Sequence, residues 1–535
     1  KFPVFFIAIG GNIAVAQNKA IDVQHYRYEI SLNDSNNIIQ GKAGIDFIAK
    51  QGASNVYFDL VALNDSTGKG MKVLHVSEND KELKFNQEKE HVNIFFDSPL
   101  PLGVQENVTI SYEGIPADGL IIDKNKFHHR TFFGDNWPNR AHNWIPCNDH
   151  PADKASVEFI VTAPDHYQAI ANGTLVEESN LSGHLKLTHW QEELVLPTKV
   201  MVIGVADFAV QLDSTINCVP VTSWVFPENR DSGFAEYAIS KKILPFYENY
   251  IGPYPYKKLA NVQSRTRFGG MENAGNIFYY ENSVAIDSFQ SKKNRSIEEL
   301  FAHETAHQWF GDEASESDWP HLWLSEGFAT YMTHLYMEYS YGTDTLKKSM
   351  KHDRDEVIAF YKKRKTPVVD TSSGNNLMQL LNDNSYQKGS WVLHMLRRKL
   401  GDKIFQKGIQ TYYASYMGKN ASTDDFMHTM ENVSKQNLEV FFKQWLYTPG
   451  HPILEVKWKY DENKKRVEIV VSQTQDFIFQ FPLQLAVQGG NHSAFKTIDI
   501  SGKTTNMTVP LDFKPKSILL DPDINLLFEG KVINE

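Results

Sequence analysis

The hydrophobic rhythm of this 535-residue chain changes twice, and each change calls for a different kind of element. Between residues 21 and 212 apolar and polar residues alternate in short runs, as in His25-Tyr26-Arg27-Tyr28-Glu29-Ile30 and Val157-Glu158-Phe159-Ile160-Val161. Turn formers such as Asn33-Asp34-Ser35 and Asn172-Gly173 separate the runs. A period of two puts alternate side chains on one face of a sheet, so this stretch predicts an antiparallel β domain. Between residues 219 and 447 the spacing becomes helical, at 234–250, 345–361, 390–400 and 422–433, with strand-like runs at 257–263 and 277–280. Pro449-Gly450 stops any regular element, and alternation then returns in Leu454-Glu455-Val456-Lys457-Trp458 and Val467-Glu468-Ile469-Val470-Val471. The pattern predicts an α+β multidomain chain: an N-terminal antiparallel β domain (17–215), an α/β domain (216–449) and a small C-terminal β-sandwich (450–535).

Residues 1–16 stand apart from this scheme. Lys1 precedes an apolar run to Ile9, and Ala14-Val15-Ala16 has the small-x-small form of a cleavage site. That reads as an export signal, with an N-terminal strand as the alternative, and it places the protein in the periplasm or outside the cell. No other apolar run reaches the ~20 residues a membrane helix needs. A net charge of −11 argues against a nucleic-acid partner, because phosphate demands a basic surface. Cys147 and Cys218 could be joined in an exported chain or stay as free thiols, and their spacing does not decide between the two.

The chemistry is concentrated in Phe301-Ala302-His303-Glu304-Thr305-Ala306-His307-Gln308-Trp309-Phe310-Gly311. Ser296 is placed to cap a helix there, and no Gly or Pro interrupts it before Gly311. Residues four apart share a helix face, so His303 and His307 can hold one zinc ion with Glu304 beside them. A catalytic zinc takes a third protein ligand and leaves a position for water. Glu326 follows Ser325 at the start of the next amphipathic run, so it projects from the first turn of a second helix. The polar segment 312–320 between them ends in Pro, as a connection between antiparallel helices should. Without a metal the same residues would be two half-buried histidines and a solvated carboxylate.

His-Glu-x-x-His followed by Glu326 in Trp323-Leu324-Ser325-Glu326-Gly327-Phe328-Ala329 resembles the zinc aminopeptidase family of aminopeptidase N and leukotriene hydrolase. Gly269-Gly270-Met271-Glu272-Asn273 resembles the Gly-x-Met-Glu-Asn motif of that family, and Tyr386-Gln387-Lys388-Gly389 resembles its catalytic tyrosine motif. The resemblance implies a thermolysin-like fold for the middle domain, one zinc ion per chain and peptide substrates with a free N-terminus. It implies that Glu272 holds the substrate amine, with Gly269 and Gly270 letting an extended peptide approach and Met271 and Asn273 shaping the first pocket. Phe278, Tyr279 and Tyr280 either line that pocket or pack beneath it. It further implies an amine contact from the segment before Pro146. There Trp137 replaces the usual acid, and Asp135 either takes over the contact or only caps a turn. A large helical domain closes the cleft in most members, and the residues after Gly450 are too few for one. An open cleft or a homodimer that covers it are the expectations.

In this reading zinc lowers the pKa of a bound water to about 7. Glu304 accepts the proton of that water and passes it to the leaving nitrogen. Tyr386 donates to the developing oxyanion. Asp312 either orients a ligand histidine or merely ends the helix. Three alternatives use the same residues: an endopeptidase, an epoxide hydrolase and a non-catalytic peptide-binding module.

Overall fold

A computed structural model describes residues 18–282, 291–374 and 376–535, so the expected export signal lies outside the described residues. The alternating N-terminal part forms an eight-stranded sheet centred on Ile21–Ser31. This strand pairs antiparallel with Ile39–Ala49 and parallel with Lys154–Pro164. The sheet is therefore antiparallel except at one seam. Tyr26, Tyr28 and Ile30 point to the core, and the residues between them face outward, as the period of two requires.

The middle of the chain opens on a five-stranded sheet. Its order is Ala209–Ile216, Val219–Val225, Leu259–Ser264, Asn276–Tyr280 and Gly270–Met271. The inner pairings are parallel, and Gly270–Met271 lies antiparallel at the edge. Helices α1 (Arg230–Tyr237), α2 (Ser240–Tyr250), α3 (Ser291–His307), α4 (Trp323–Tyr341), α5 (Thr343–Lys363), α6 (Gly389–Leu400), α7 (Asp402–Tyr416) and α8 (Thr423–Ser434) complete this region. Ser422 caps α8 with a capping box to Asp425. Helix α3 starts five residues before Ser296, so that serine is inside the helix and does not cap it. Nothing in Ser291-Lys292-Lys293-Asn294-Arg295 stops a helix, which is why it extends upstream.

The C-terminal part is a sandwich of two sheets. Thr504–Pro510, Arg466–Gln473, Ile453–Asp461 and Glu529–Asn534 form one, and His492–Ile500, Phe481–Gly489 and Ser517–Leu520 form the other. Cys147 is buried and Cys218 exposed, both as free thiols. No described helix is long and apolar enough to cross a membrane.

Candidate metal centre and peptide cleft

The metal centre is assembled from two helix ends. Helix α3 is tied down by the Tyr247 hydroxyl donating to the Ala302 carbonyl at 2.9 Å, and its last turns carry His303 and His307. Helix α4 presents Glu326 from its first turn. The two Nε2 atoms stand 3.1 Å apart, and Glu326 Oε2 lies 3.3 Å from each. At zinc–ligand bonds of 2.0–2.1 Å the edges of a tetrahedron are about 3.3 Å, so the three donors already have the separation the ion needs. Glu326 Oε2 is buried with no hydrogen-bond partner among the described residues, as a ligand oxygen would be. The donor set therefore fits zinc. Among the described residues no other group of three such donors comes together.

The connection after α3 holds the second ring nitrogen. His307 Nδ1 lies 3.1 Å from the Phe310 carbonyl and 3.1 Å from Ser325 Oγ. Donation to that carbonyl fixes the tautomer that leaves Nε2 free for metal. Gly311 makes the turn at φ +119, and a Cβ there would meet Ser325 Oγ at 2.3 Å. Asp312 does not orient a histidine. Its Oδ2 accepts from Gln308 Nε2 at 3.0 Å. Residues 312–316 of the connection are buried, because Lys154 reaches over to donate to the carbonyls of Asp312 and Glu313, and Lys199 pairs with Glu316 at 2.5 Å.

Electrostatics at the centre follow from three carboxylates around two imidazoles. Burial alone would lower His307, yet Glu326 and Glu272 beside it lift it to about 10. Burial keeps His303 below its ordinary value. Burial pushes Glu326 up, but His307 and His303 outweigh it and hold the carboxyl well below its usual range. Glu304 is pushed well up, chiefly by burial.

Glu272 shares the cavity with this centre. The cavity, about 210 Å³, is lined by Glu272, Glu304, Tyr386 and the three metal donors, together with Trp137, Phe268, Gly269, Gly270, Met271, Leu300 and Leu381. Glu272 is 5% exposed, and its Oε1 has no partner among the described residues. Gly270 is needed here for space: a Cβ would sit 2.3 Å from Glu304 Oε1. Gln308, which follows His307, ties the Glu272 segment to the metal helix. Its Nε2 donates to the Glu272 carbonyl at 2.7 Å and its Oε1 accepts from Gly275 N at 2.8 Å. Sequence reading passed over Gln308, because a glutamine on a helix carries no signal until its remote partners are known.

Tyr386 sits in a single π-helical turn, Asn384–Lys388, that runs into α6. Such turns recur at functional sites because the extra residue redirects a side chain. Its ring stacks on His303 with centroids 6.1 Å apart. Burial, and next the Glu326 carboxylate, raise its phenol well above the ordinary value, so it stays a donor. Gly327 and Gly389 make this approach possible, since a Cβ on Gly327 would lie 2.9 Å from the Gly389 Cα.

Asp135 does not line the cavity. It is fully buried, paired with Arg140, and accepts from Thr266 Oγ1 at 3.2 Å and from the Arg267 amide at 3.0 Å. Trp137, from the same loop, lines the cavity instead. Asn273 is buried outside the lining. Phe278 and Tyr279 pack beneath the site, Tyr279 stacked on Phe301 at 3.9 Å, and Tyr280 is not in the lining either.

Comparison with known proteins agrees with this geometry. Residues 22–200 match the Peptidase M1 N-terminal domain, and residues 235–445 match the Peptidase family M1 domain. "Aminopeptidase M1" of Arabidopsis thaliana is 27% identical over 471 residues, covering 81% of this chain and 51% of that protein. "Leucyl aminopeptidase" of Saccharolobus solfataricus is 26% identical over 446 residues, 78% of this chain and 54% of that one. "Glutamyl aminopeptidase" of Rattus norvegicus is 28% identical over 346 residues, 62% and 36% respectively. The chain thus spans about half the length, or less, of these curated relatives. Through both its β-rich first part and the region that carries the metal centre, the chain belongs to peptidase family M1.

Proposed function

We propose that this chain is a zinc aminopeptidase that removes the first residue from peptides with a free amino terminus. The observation that carries the reading is Glu272: a buried carboxylate with one oxygen unpartnered, in the same cavity as the metal donors. A buried charge needs an opposite partner. A peptide's terminal ammonium supplies one, and an internal peptide bond does not. Burial pushes the Glu272 carboxyl up, while the positive charges of His307 and Lys199 pull it back.

When bound, zinc polarises water and the scissile carbonyl. The chain's own residues do the rest. Gly270–Met271 is an edge strand, so an extended substrate can pair with it while Glu272 fixes the amine. Glu304 takes a proton from the attacking water and returns it to the leaving nitrogen. The Tyr386 hydroxyl donates to the carbonyl oxygen as charge develops there. The relatives' printed names support an aminopeptidase, while "leucyl" and "glutamyl" differ over the first residue.

The test compares leucine 4-nitroanilide with its N-acetyl derivative, with and without chelator. The free-amine substrate should be cleaved, with activity lost to the chelator and restored by zinc. Equal cleavage of both anilides, or indifference to the chelator, would sink the reading.

A further inference from the structure

We propose that Trp137 determines which first residue the cleft accepts, selecting apolar side chains and rejecting acidic ones. This deepens the aminopeptidase reading and rests on it.

Three observations meet at this residue. The first is placement: Trp137 lines the same cavity as Glu272 and the metal donors. An amine held on Glu272 puts the first side chain in that space. The remaining wall there is Phe268, Met271, Leu300 and Leu381, and no Lys or Arg lines it among the described residues. A carboxylate on the first residue would meet Glu272 and Glu304 without a cation of the chain to offset them. An apolar side chain gains by leaving water.

Rigidity is the second. Trp137 is 2% exposed. Its ring stands edge-on between Phe268, at 6.5 Å and 86°, and Trp319, at 6.3 Å and 79°. Trp319 belongs to the turn that leads into α4, the helix of Glu326. A ring wedged this way cannot swing aside, so it sets the depth of the subsite.

Third, the indole Nε1 is buried with no hydrogen-bond partner among the described residues. Indole N–H groups usually find an acceptor when buried. In a substrate cavity, a backbone carbonyl of the bound peptide can be that acceptor. Trp137 then offers a wall to the first side chain and one donor to the peptide.

The experiment measures kcat/KM for the 4-nitroanilides of Ala, Leu, Phe and Glu, with zinc content determined on the same samples. Wild type, Trp137→Phe and Trp137→Ala are compared. Wild type should prefer Leu over Glu by at least about tenfold. Trp137→Ala should keep its zinc and shift the Leu-to-Ala ratio by about tenfold, because the wall is gone. Trp137→Phe keeps a ring and is the milder variant should the Ala form fail to fold. It should preserve the apolar order and lose roughly tenfold on every substrate alike, the effect of one hydrogen bond. Wild type cleaving Leu and Glu anilides equally, or zinc-loaded variants with wild-type rates and ratios within twofold, would overturn the proposal. Wild type cleaving none of the four in a chelator-sensitive way would overturn the aminopeptidase reading itself.

Discussion

The contact between Gly327 and Gly389 can be tested most sharply. Gly327 follows the third metal donor, and Gly389 lies three residues after Tyr386, so their touching backbones set the distance from the metal centre to the phenol. In Gly327→Ala the new Cβ would lie 2.9 Å from the Gly389 Cα and 3.0 Å from its carbonyl carbon. Both are backbone atoms, which cannot rotate away. Ordinary contact begins at 3.4 Å, so the two segments must part by about 0.5 Å. Overpacking of this kind costs about 1–3 kcal/mol of stability. Displacement of a reacting group by up to an ångström costs up to about 10²-fold in rate. The expected result is a 10–100-fold fall in kcat, zinc retained, and little change in KM, since Glu272 is untouched. The decisive assay is a double-mutant cycle with Tyr386→Phe. Where the phenolic hydroxyl is already absent, its displacement has nothing left to cost, so Gly327→Ala should add little to the loss in kcat. Fully additive losses would show that the glycine pair does not act through Tyr386.

Tyr386→Phe alone should keep zinc and lose ~2.7–4 kcal/mol of transition-state stabilisation, read as kcat. Near-normal turnover would remove the phenol from the reaction. Glu272→Ala should cost a free-amine substrate far more than an N-acetylated one, and equal losses would argue against amine recognition. Gln308→Leu should raise KM for free-amine substrates and cost about 1–3 kcal/mol of stability, because the Gly275 amide and Glu272 carbonyl lose their partner. Unchanged KM would mean that the clamp is dispensable. Zinc uptake by the metal-free protein should release at least one proton at neutral pH. His307 is lifted to about 10 and so carries a proton there, and burial keeps His303 neutral. Affinity should therefore fall as pH drops below 10. Calorimetry in buffers of different ionisation heat reads the release, and uptake without a proton would contradict the assignment.

Periodicity made the order of β-rich, helical and β-rich parts legible, because burial of one face imposes its own spacing. Within a helix the same logic reaches individual atoms, and His303 and His307 share a face by virtue of being four apart. Glu326 was readable for a related reason, since it sits at a helix start a short connection away. What the sequence hid depends on a second, distant segment. Asp135 and Trp137 occupy one loop, and local pattern does not say which faces the cleft. Arg140, Thr266 and the Arg267 amide decide it by capturing Asp135. Segment 312–320 reads as a polar connection between two helices. Its first five residues are buried because Lys154 and Lys199 arrive from the first part of the chain with matching partners.

Gln308 carries this lesson into function. It stands beside His307, yet nothing local separates it from any other helical glutamine. Two of its hydrogen bonds join the backbone around Glu272 to the helix of the metal donors. An aminopeptidase needs the anchor for the ammonium and the centre of hydrolysis held one residue apart. A loose anchor would let the peptide slide and blur the choice of bond. Here that separation is a distance between a strand edge and a helix end, and one amide side chain bridges the two. The residue types that would perform the proposed chemistry are visible as motifs. The ruler that would direct that chemistry to the first bond lies in contacts between motifs, which appear only once the chain has folded.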